Sequence, residues 1–520
     1  MNIDTIAKGI DKRLKICIVT SFLFGFAAHG MALFNKYSFH DDTNFLFLQG
    51  ITFYSGRWML GVISKLENIL FGLENQFSLP LFNGILSIFC ISVTAYIIID
   101  LLEIKHELTL VFMAALLVAF PSIAGLFSYM FTSHYYCLAM LMGIFGTSMI
   151  LKNRNIYSLV GIMLFCSSIG IYQGYIPLNL SIIALYFINI LHRHDEEAKK
   201  YWKMATYILL CCVALVGLYF VITKLSLVVK HIELLDYRGI SSMGTGTSLD
   251  TYFHRLIYCY KDFFFPSMDK EYCMYPGNIL LLYRVTVIIL AVVAIYYFIR
   301  LVRTNISLGI LYFISILIFP LCVNFMFFMT DYGVVHSLMV YAQDIPFIAL
   351  ACYIDRFLHL NHEVLDGSIE KLEGSLKKGC IILGGLLIVM YIRYDNACYL
   401  KASMMQSEAN SYFTTLITQI KSIDGYTDEL PVTYVNAYKN HDKTAYICPE
   451  LQFIQTSAYN DLSSYLNDYA FEKYMMRWCG FAPTILDSAE YEALPEVQEM
   501  PNYPDDGSIQ IINGTVVVKF

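Results

Sequence analysis

Charged residues are scarce. Asp, Glu, Lys and Arg make up 15% of the 520 residues, against about 25% in an ordinary soluble chain. That supply is too small to cover a water-soluble globule of this length, which excludes a soluble enzyme. Proline and glycine are few as well, at 13 and 30 residues, which excludes collagen-like and low-complexity chains. The 14 cysteines contain no Cys-x-x-Cys pair and no metal-like cluster. Adjacent Cys211-Cys212 cannot form a zinc motif of normal spacing. The flexible stretch 241–248 lacks both the spacing and the lysine of a phosphate-binding loop. No internal repeat of 20–50 residues is found, as a transporter built from repeated halves would show.

What is present is apolar. Hydrophobic residues reach 57% and mean hydropathy is +0.56. A membrane-spanning helix needs about 20 mainly apolar residues. The chain offers eleven such runs: 14–34, 79–100, 108–123, 135–151, 156–170, 174–191, 204–229, 278–300, 306–328, 334–355 and 379–394. The first follows Lys8, Lys12, Arg13 and Lys15 and is long for a signal-peptide core, so it reads as an uncleaved first span. Cys17, Cys90, Cys137, Cys166, Cys322 and Cys352 fall in apolar segments and read as small buried hydrophobes. Cys259 and Cys273 share one polar loop and can either pair or remain thiols.

The distribution of charge sets an orientation. With the N-terminus inside, the inner segments hold 17 Lys and Arg and the longer outer loops hold 8, the asymmetry expected of a cytoplasmic N-terminus. Eleven spans then carry the C-terminus outside. Two domains are expected. Residues 1–395 form the membrane part, with 28 Lys and Arg facing 26 Asp and Glu, and residues 396–520 form an acidic extracytoplasmic part with a net charge of −9. The formal total of −7 therefore does not argue against an anionic lipid partner. In the tail, 401–421 has helical spacing, and 431–436 and 509–520 read as strands, the latter turning at Asn513-Gly514. Tyr465, Tyr469, Tyr474 and Trp478 can stack on sugar rings or make a small core. The expected fold is an all-α polytopic membrane protein with about 11 helices and a small C-terminal α+β domain.

Polar residues gather where the outer ends of the spans should lie. The first outer loop carries His40, Asp41 and Asp42, then Ser55-Gly56-Arg57-Trp58. Adjacent carboxylates near a membrane repel each other and lose solvation, which suits proton abstraction or cation binding. Residues 44–72 read as one amphipathic surface helix, with Trp58 as an interfacial anchor and Arg57 and Lys65 as lipid-phosphate contacts or ordinary interfacial cations. The loop 230–277 brings His231, Arg238 and Arg255, with 249–265 amphipathic. Arg238 and Arg255 are candidate phosphate contacts. His134, Gln173, Asp331, His336 and Arg393 fall on the same face, and Asp344 lies inside the tenth span, where an ionisable group commonly faces a cavity or a partner.

Phe39-His40-Asp41-Asp42, followed by Ser55-Gly56-Arg57-Trp58, resembles the first outer loop of the bacterial type II Gtr glucosyltransferases, which modify O-antigen and related surface polysaccharides. The exit Arg393-Tyr394-Asp395-Asn396 into 401–421 also resembles that family. The likeness covers roughly 14–420. It implies a glycosyltransferase of GT-C type in the bacterial plasma membrane, moving glucose from a polyprenyl-phosphate carrier to a cell-surface glycan on the outer face. It also implies an acidic base in the first outer loop, a position held here by Asp41 and Asp42. Arg57, Arg238, Arg255 and Arg393 as donor-phosphate contacts follow from charge and placement alone. Some GT-C enzymes use a divalent metal such as Mg or Mn and others do not, and the sequence leaves this open. The lipid bilayer, the lipid-linked donor and the glycan acceptor are the expected partners, with no nucleic acid. A polyprenol-linked glycan polymerase or ligase, or a lipid-linked sugar flippase, are the alternatives.

Overall fold

The structure is a computed structural model and describes residues 11–37, 39–44, 49–72, 77–152, 156–193, 197–234, 248–266, 274–330, 335–360, 367–437, 449–451, 454, 466–467 and 470–520. Its contacts divide the chain into two units. One holds residues 1–35 and 47–396, and the other holds 36–46 and 397–520. The acidic segment of the first outer loop thus packs with the C-terminal residues rather than with the helices on either side of it in sequence.

The first unit is helical. Its elements are α1 (Lys12–Phe34), α2 (Gln49–Tyr54), α3 (Trp58–Phe71), α4 (Pro80–Leu101), α5 (Glu107–Ala119), α6 (Ser122–Phe127), α7 (Met130–Lys152), α8 (Ile156–Ile171), α9 (Ile176–Arg193), α10 (Ala198–Lys230), α11 (Leu249–Phe264), α12 (Asn278–Thr304), α13 (Ile306–Val323), α14 (Phe325–Met329) and α15 (Ile345–Leu360). α16 (Gly367–Ser422) contributes to both units. Local chemistry sets the ends. Asp11 caps α1 by accepting from the Arg13 amide, and Asn305 caps α13 by accepting from Ser307 and Leu308. Pro80 opens α4, where its missing N–H costs no helical bond.

Nine helices among the described residues are long and apolar enough to cross a membrane, taking α5 with α6 as one, and α8 is a shorter apolar helix. They differ in depth. In the most apolar stretch of 107–127, 89% of residues are buried, against 11% in that of α10. Leu209, Val213, Val216 and Phe220 of α10 are exposed, which suits a lipid-facing helix. α7 and α8 pack closely at Gly146 and Gly161, where a Cβ on either glycine would lie within 2.7 Å of the other helix's backbone. The chain is a polytopic all-α membrane protein with a small C-terminal α+β part.

One end of the bundle is tied by charge. Arg13 donates to Asp100 at 2.8 Å, and Lys152 reaches the same carboxylate. Arg193 pairs with Glu103 at 2.8 Å, and Asp355 accepts from the amides of Lys105 and His106.

Four helical expectations change, each for a local reason. The span 108–123 breaks at Phe120, which is held extended by Pro121. The span 306–328 ends at Val323, past the internal Pro320, and restarts after Asn324. The span 334–355 is helical only from Ile345. Ser337–Met339 and Tyr341–Asp344 are 3₁₀ turns, because Pro346 is tolerated only in a first helical turn. Asp344 is therefore in the turn before α15 rather than within a span. The single surface helix over 44–72 is two helices, α2 and α3, separated by Ser55-Gly56-Arg57. Trp58 is buried rather than interfacial, its ring lying over Gly170.

In the second unit, β1 (Val432–Val435) runs parallel to β3 (Thr515–Lys519), which pairs antiparallel with β2 (Ile509–Ile512) in the order β1-β3-β2. Asn513 and Gly514, both with positive φ, make the two-residue hairpin turn that the sequence predicts. α17 (Phe471–Trp478), α18 (Ala489–Glu492) and α19 (Pro495–Glu499) complete it. Tyr474 is buried and stacks on Phe413 of α16 with ring centroids 5.0 Å apart. It is a core residue; Trp478 is half-buried, and Tyr465 and Tyr469 lie outside the described residues.

Candidate active site

The break between α2 and α3 builds the most developed polar site of the first unit. Gly56 holds φ at +71°, a conformation that glycine adopts without steric cost. A Cβ there would stand 2.7 Å from the Tyr219 hydroxyl. That hydroxyl donates to the Gly56 carbonyl at 3.2 Å. Gln173, at the break between α8 and α9, donates through Nε2 to the Ser55 carbonyl at 3.0 Å and to Tyr219 at 3.1 Å. Its Oε1 accepts from Arg57 Nε at 3.3 Å, and Arg57 Nη1 donates to the Tyr136 hydroxyl at 2.9 Å. The guanidinium lies over the rings of Tyr136 and Tyr172, at 5.8 and 5.5 Å from their centroids, and those rings stack on each other at 4.1 Å. Gln173 and Tyr136 are uncharged, and their bonds orient the guanidinium.

Arg57, Tyr172, Gln173 and Tyr219 belong to the wall of a cavity of about 620 Å³. The remaining wall is mostly apolar, with Phe165 of α8, Leu215 and Phe220 of α10, and Phe325 and Met326 of α14. A cationic group on an otherwise greasy chamber suits an amphiphile with an anionic head. Arg255 of α11 stacks over Tyr252, another residue of the wall, at 6.0 Å.

A second cluster lies along α3. Tyr135 donates to Glu67, and His134 Nε2 lies 3.5 Å from the same carboxylate oxygen. Burial alone would raise the Glu67 pKa, but the nearby His134 imidazole and the bond from Tyr135 outweigh it and hold the carboxyl below its ordinary value.

A third cluster joins α11 to the break after α13. Asp262 accepts from Asn324 at 3.2 Å and from Gln343 at 3.4 Å. Asn324 also donates to the Cys259 carbonyl, and the Cys259 thiol donates to the Asn324 carbonyl at 3.3 Å. Cys259 is thus a free thiol, while Cys273 lies outside the described residues. Asp344, next to Gln343, is fully buried, and neither carboxylate oxygen has a hydrogen-bond partner among the described residues. Burial pushes Asp262 up from 3.8 to about 7, partly offset by the bond from Asn324. A carboxyl raised on folding adds stability that is full below its unfolded pKa and is lost as pH climbs through the folded one. Asp262→Asn keeps an acceptor for both amides and removes the charge. Its melting temperature is expected to exceed the parent's by a few degrees at about pH 8, with the gap closing towards about pH 4. Thermal unfolding in detergent across that range is the check, and a gap constant with pH would contradict it.

The acidic turn belongs to the second unit. Residues His40–Asn44 form a 3₁₀ turn. Asp41 is exposed, whereas Asp42 is fully buried and ion-paired to Lys36. Burial pushes the Lys36 ammonium below its ordinary pKa, and Asp42 partly restores it.

Of the other expected site residues, His231 is an exposed left-handed cap at the end of α10, His336 is half-buried, and Arg393 is exposed on α16 and absent from the cavity wall. Arg238 and Asp331 lie outside the described residues, as does the His40 side chain. The structure brings Arg57 and Gln173 into contact in the cavity wall and stacks Arg255 on Tyr252 of that wall, with Arg255 itself absent from the lining. Tyr136, Tyr219, Glu67 and Asp262 were not singled out by sequence. Glu67 is an acid within a mainly apolar helix, a signal that could have found it, whereas Asp262 sits in an amphipathic helix beside Lys261 and carries no such signal. Two tyrosines among 40 carry no such signal. Among the described residues, no group of three or more His, Cys, Asp or Glu forms a potential metal site.

Neither the curated proteins nor the solved structures searched contain a match to this chain. The family model described as glucosyl transferase GtrII matches residues 30–346, more than half of the chain and including both the acidic turn and the Arg57 site, and the protein belongs to that glucosyltransferase family.

Proposed function

We propose that the protein transfers glucose from a polyprenyl-phosphate carrier to a cell-surface polysaccharide at the outer face of the bacterial plasma membrane, as an inverting enzyme of GT-C type. The observation that carries this reading is an oriented guanidinium on the wall of a large apolar cavity. A polyprenyl chain is satisfied by the apolar wall and a phosphate by Arg57. Outside the cell there is no pool of nucleotide sugars, so a membrane-borne activated sugar supplies the donor. The excess of Lys and Arg in the other set of loops supports a cytoplasmic N-terminus and an extracytoplasmic C-terminal part.

The chemistry is a single displacement. A carboxylate of the 41–42 pair takes the proton of an acceptor hydroxyl. The oxygen attacks the anomeric carbon, a new C–O bond forms, and the bond from that carbon to the phosphate oxygen breaks. The electron pair leaves on the polyprenyl phosphate, whose growing charge a cation stabilises. The test uses the full chain in lipid vesicles with radiolabelled polyprenyl-phosphate glucose and acceptor polysaccharide. Label is expected in the polysaccharide, dependent on the protein, with release of polyprenyl phosphate. Label that crosses the bilayer while still attached to its carrier identifies a flippase and overturns the reading. Label built into glucose-only chains identifies a polymerase and overturns it as well.

A further inference from the structure

The acidic turn is too short to hold itself. Five residues of 3₁₀ helix provide few backbone bonds, and such turns persist only where the surroundings fix them. Here the surroundings are the C-terminal residues. Arg477, in the last turn of α17, donates through Nη1 to the Thr43 carbonyl at 2.9 Å. Thr43 and Phe39 are fully buried on either side of the two aspartates.

α17 is itself anchored. The Tyr474 hydroxyl donates to Asn410 at 2.7 Å, and Phe471 packs against Phe413, Tyr434 and Phe520. A rigid helix therefore presents a cation to the backbone of the turn, one residue beyond Asp42. These anchors, from Asn410 to Phe520, all lie beyond residue 346, where the family match ends.

We propose that Arg477 is a positioning residue for glycosyl transfer, and that α17 mounts the 39–44 turn so that the backbone carrying Asp41 keeps one conformation when the acceptor binds. The segment outside the family match thereby governs the chemistry of a motif inside it. The inference rests on the reading that the 41–42 pair carries the proton transfer. A charge-assisted bond to a backbone carbonyl fixes position, and loss of alignment lowers turnover more than it lowers binding.

The experiment compares Arg477→Ala, Arg477→Lys, Asp41→Asn and Asp42→Asn, each as the full chain in vesicles and normalised to folded protein. Donor binding is measured with a phosphonate analogue of polyprenyl-phosphate glucose. Arg477→Ala is expected to lower kcat by about tenfold to a hundredfold, with analogue affinity within about twofold of the parent. Arg477→Lys, which keeps the charge and a donor, is expected to recover most of the loss. If Arg477→Ala keeps parental kcat while the aspartate variants are dead, the positioning role falls and the acidic reading stands. If both aspartate variants keep full activity, the acidic reading falls and takes this inference with it. If Arg477→Lys is as impaired as Arg477→Ala, or analogue binding collapses with kcat, Arg477 is a structural support only and the proposal is overturned.

Discussion

Arg57→Ala is expected to reduce glucosyl transfer by about a hundredfold to a thousandfold, the range found when one preorganised electrostatic donor is removed from a developing anion. The size follows from what surrounds the side chain. Gln173 and Tyr136 hold the guanidinium by two hydrogen bonds, and the rings of Tyr136 and Tyr172 lie under it. Its orientation is therefore set before any ligand arrives. The same substitution leaves Gln173 Oε1 and the Tyr136 hydroxyl each without one partner, so part of the cost is structural, about 1–3 kcal/mol for each group left unsatisfied. Two controls separate these contributions. Arg57→Lys keeps the charge but loses the planar fork, and it is expected to recover about a tenth of parental activity. Tyr136→Phe removes one orienting bond and keeps the cation and the ring, and its effect is expected to stay within about tenfold. Turnover and analogue affinity in vesicles, read against the amount of folded protein, give the result. An Arg57→Ala enzyme with parental turnover and affinity would remove the phosphate role.

The sequence made the class of molecule plain because the membrane imposes a strict rule on composition. Apolar runs of span length can only be buried in lipid or in each other, and among the described residues ten of the eleven runs correspond to apolar helices, nine of span length and one shorter, while 334–355 does not. The helix ends inside those runs were harder to read. Proline marks a break only when its position in the turn is known. Pro121 ends α5 just before it, Pro320 sits inside α13 near its end, and Pro346 opens α15. One residue type thus gives three outcomes decided by which neighbouring N–H and carbonyl groups find other partners.

The candidate site was legible to a similar depth. Arg57 and Gln173 stood out because polar groups near span ends are conspicuous against an apolar background. Their contact across 116 positions was not legible, since pairing between helices depends on rotation about each helix axis, which hydropathy does not report. Trp58 shows the same limit from the other side. An aromatic ring at an expected interface reads as an anchor, yet the bare surface of Gly170 gives it a buried seat. The adjacency of Asp41 and Asp42 was visible, but their unlike surroundings were not. Those depend on Lys36 and on residues far along the chain, and no local pattern encodes them.

That unlikeness divides the two carboxylates in the last prediction. Asp41→Asn is expected to lower transfer by at least about a hundredfold, and up to about ten-thousandfold, the usual span for loss of a general base. Insertion and thermal stability should stay near parental values, because Asp41 is exposed and its replacement buries nothing new. Asp42→Asn is expected to fail differently. Asp42 is fully buried against Lys36, so its replacement removes a buried counter-charge from a largely buried ammonium. Breaking a fully buried pair from one side costs about 3–5 kcal/mol. Lys36 keeps some exposure, which places the cost towards or below the low end of that range. The expected signature is a lower melting temperature together with lost activity, and the double change Lys36→Met with Asp42→Asn should recover stability better than activity. Measuring melting temperature and turnover on the same preparations distinguishes the two roles. If Asp42→Asn is as stable as the parent yet inactive, while Asp41→Asn is active, the base is the buried carboxylate. In that case the proton leaves the acceptor towards the Lys36 pair rather than towards the exposed face of the turn.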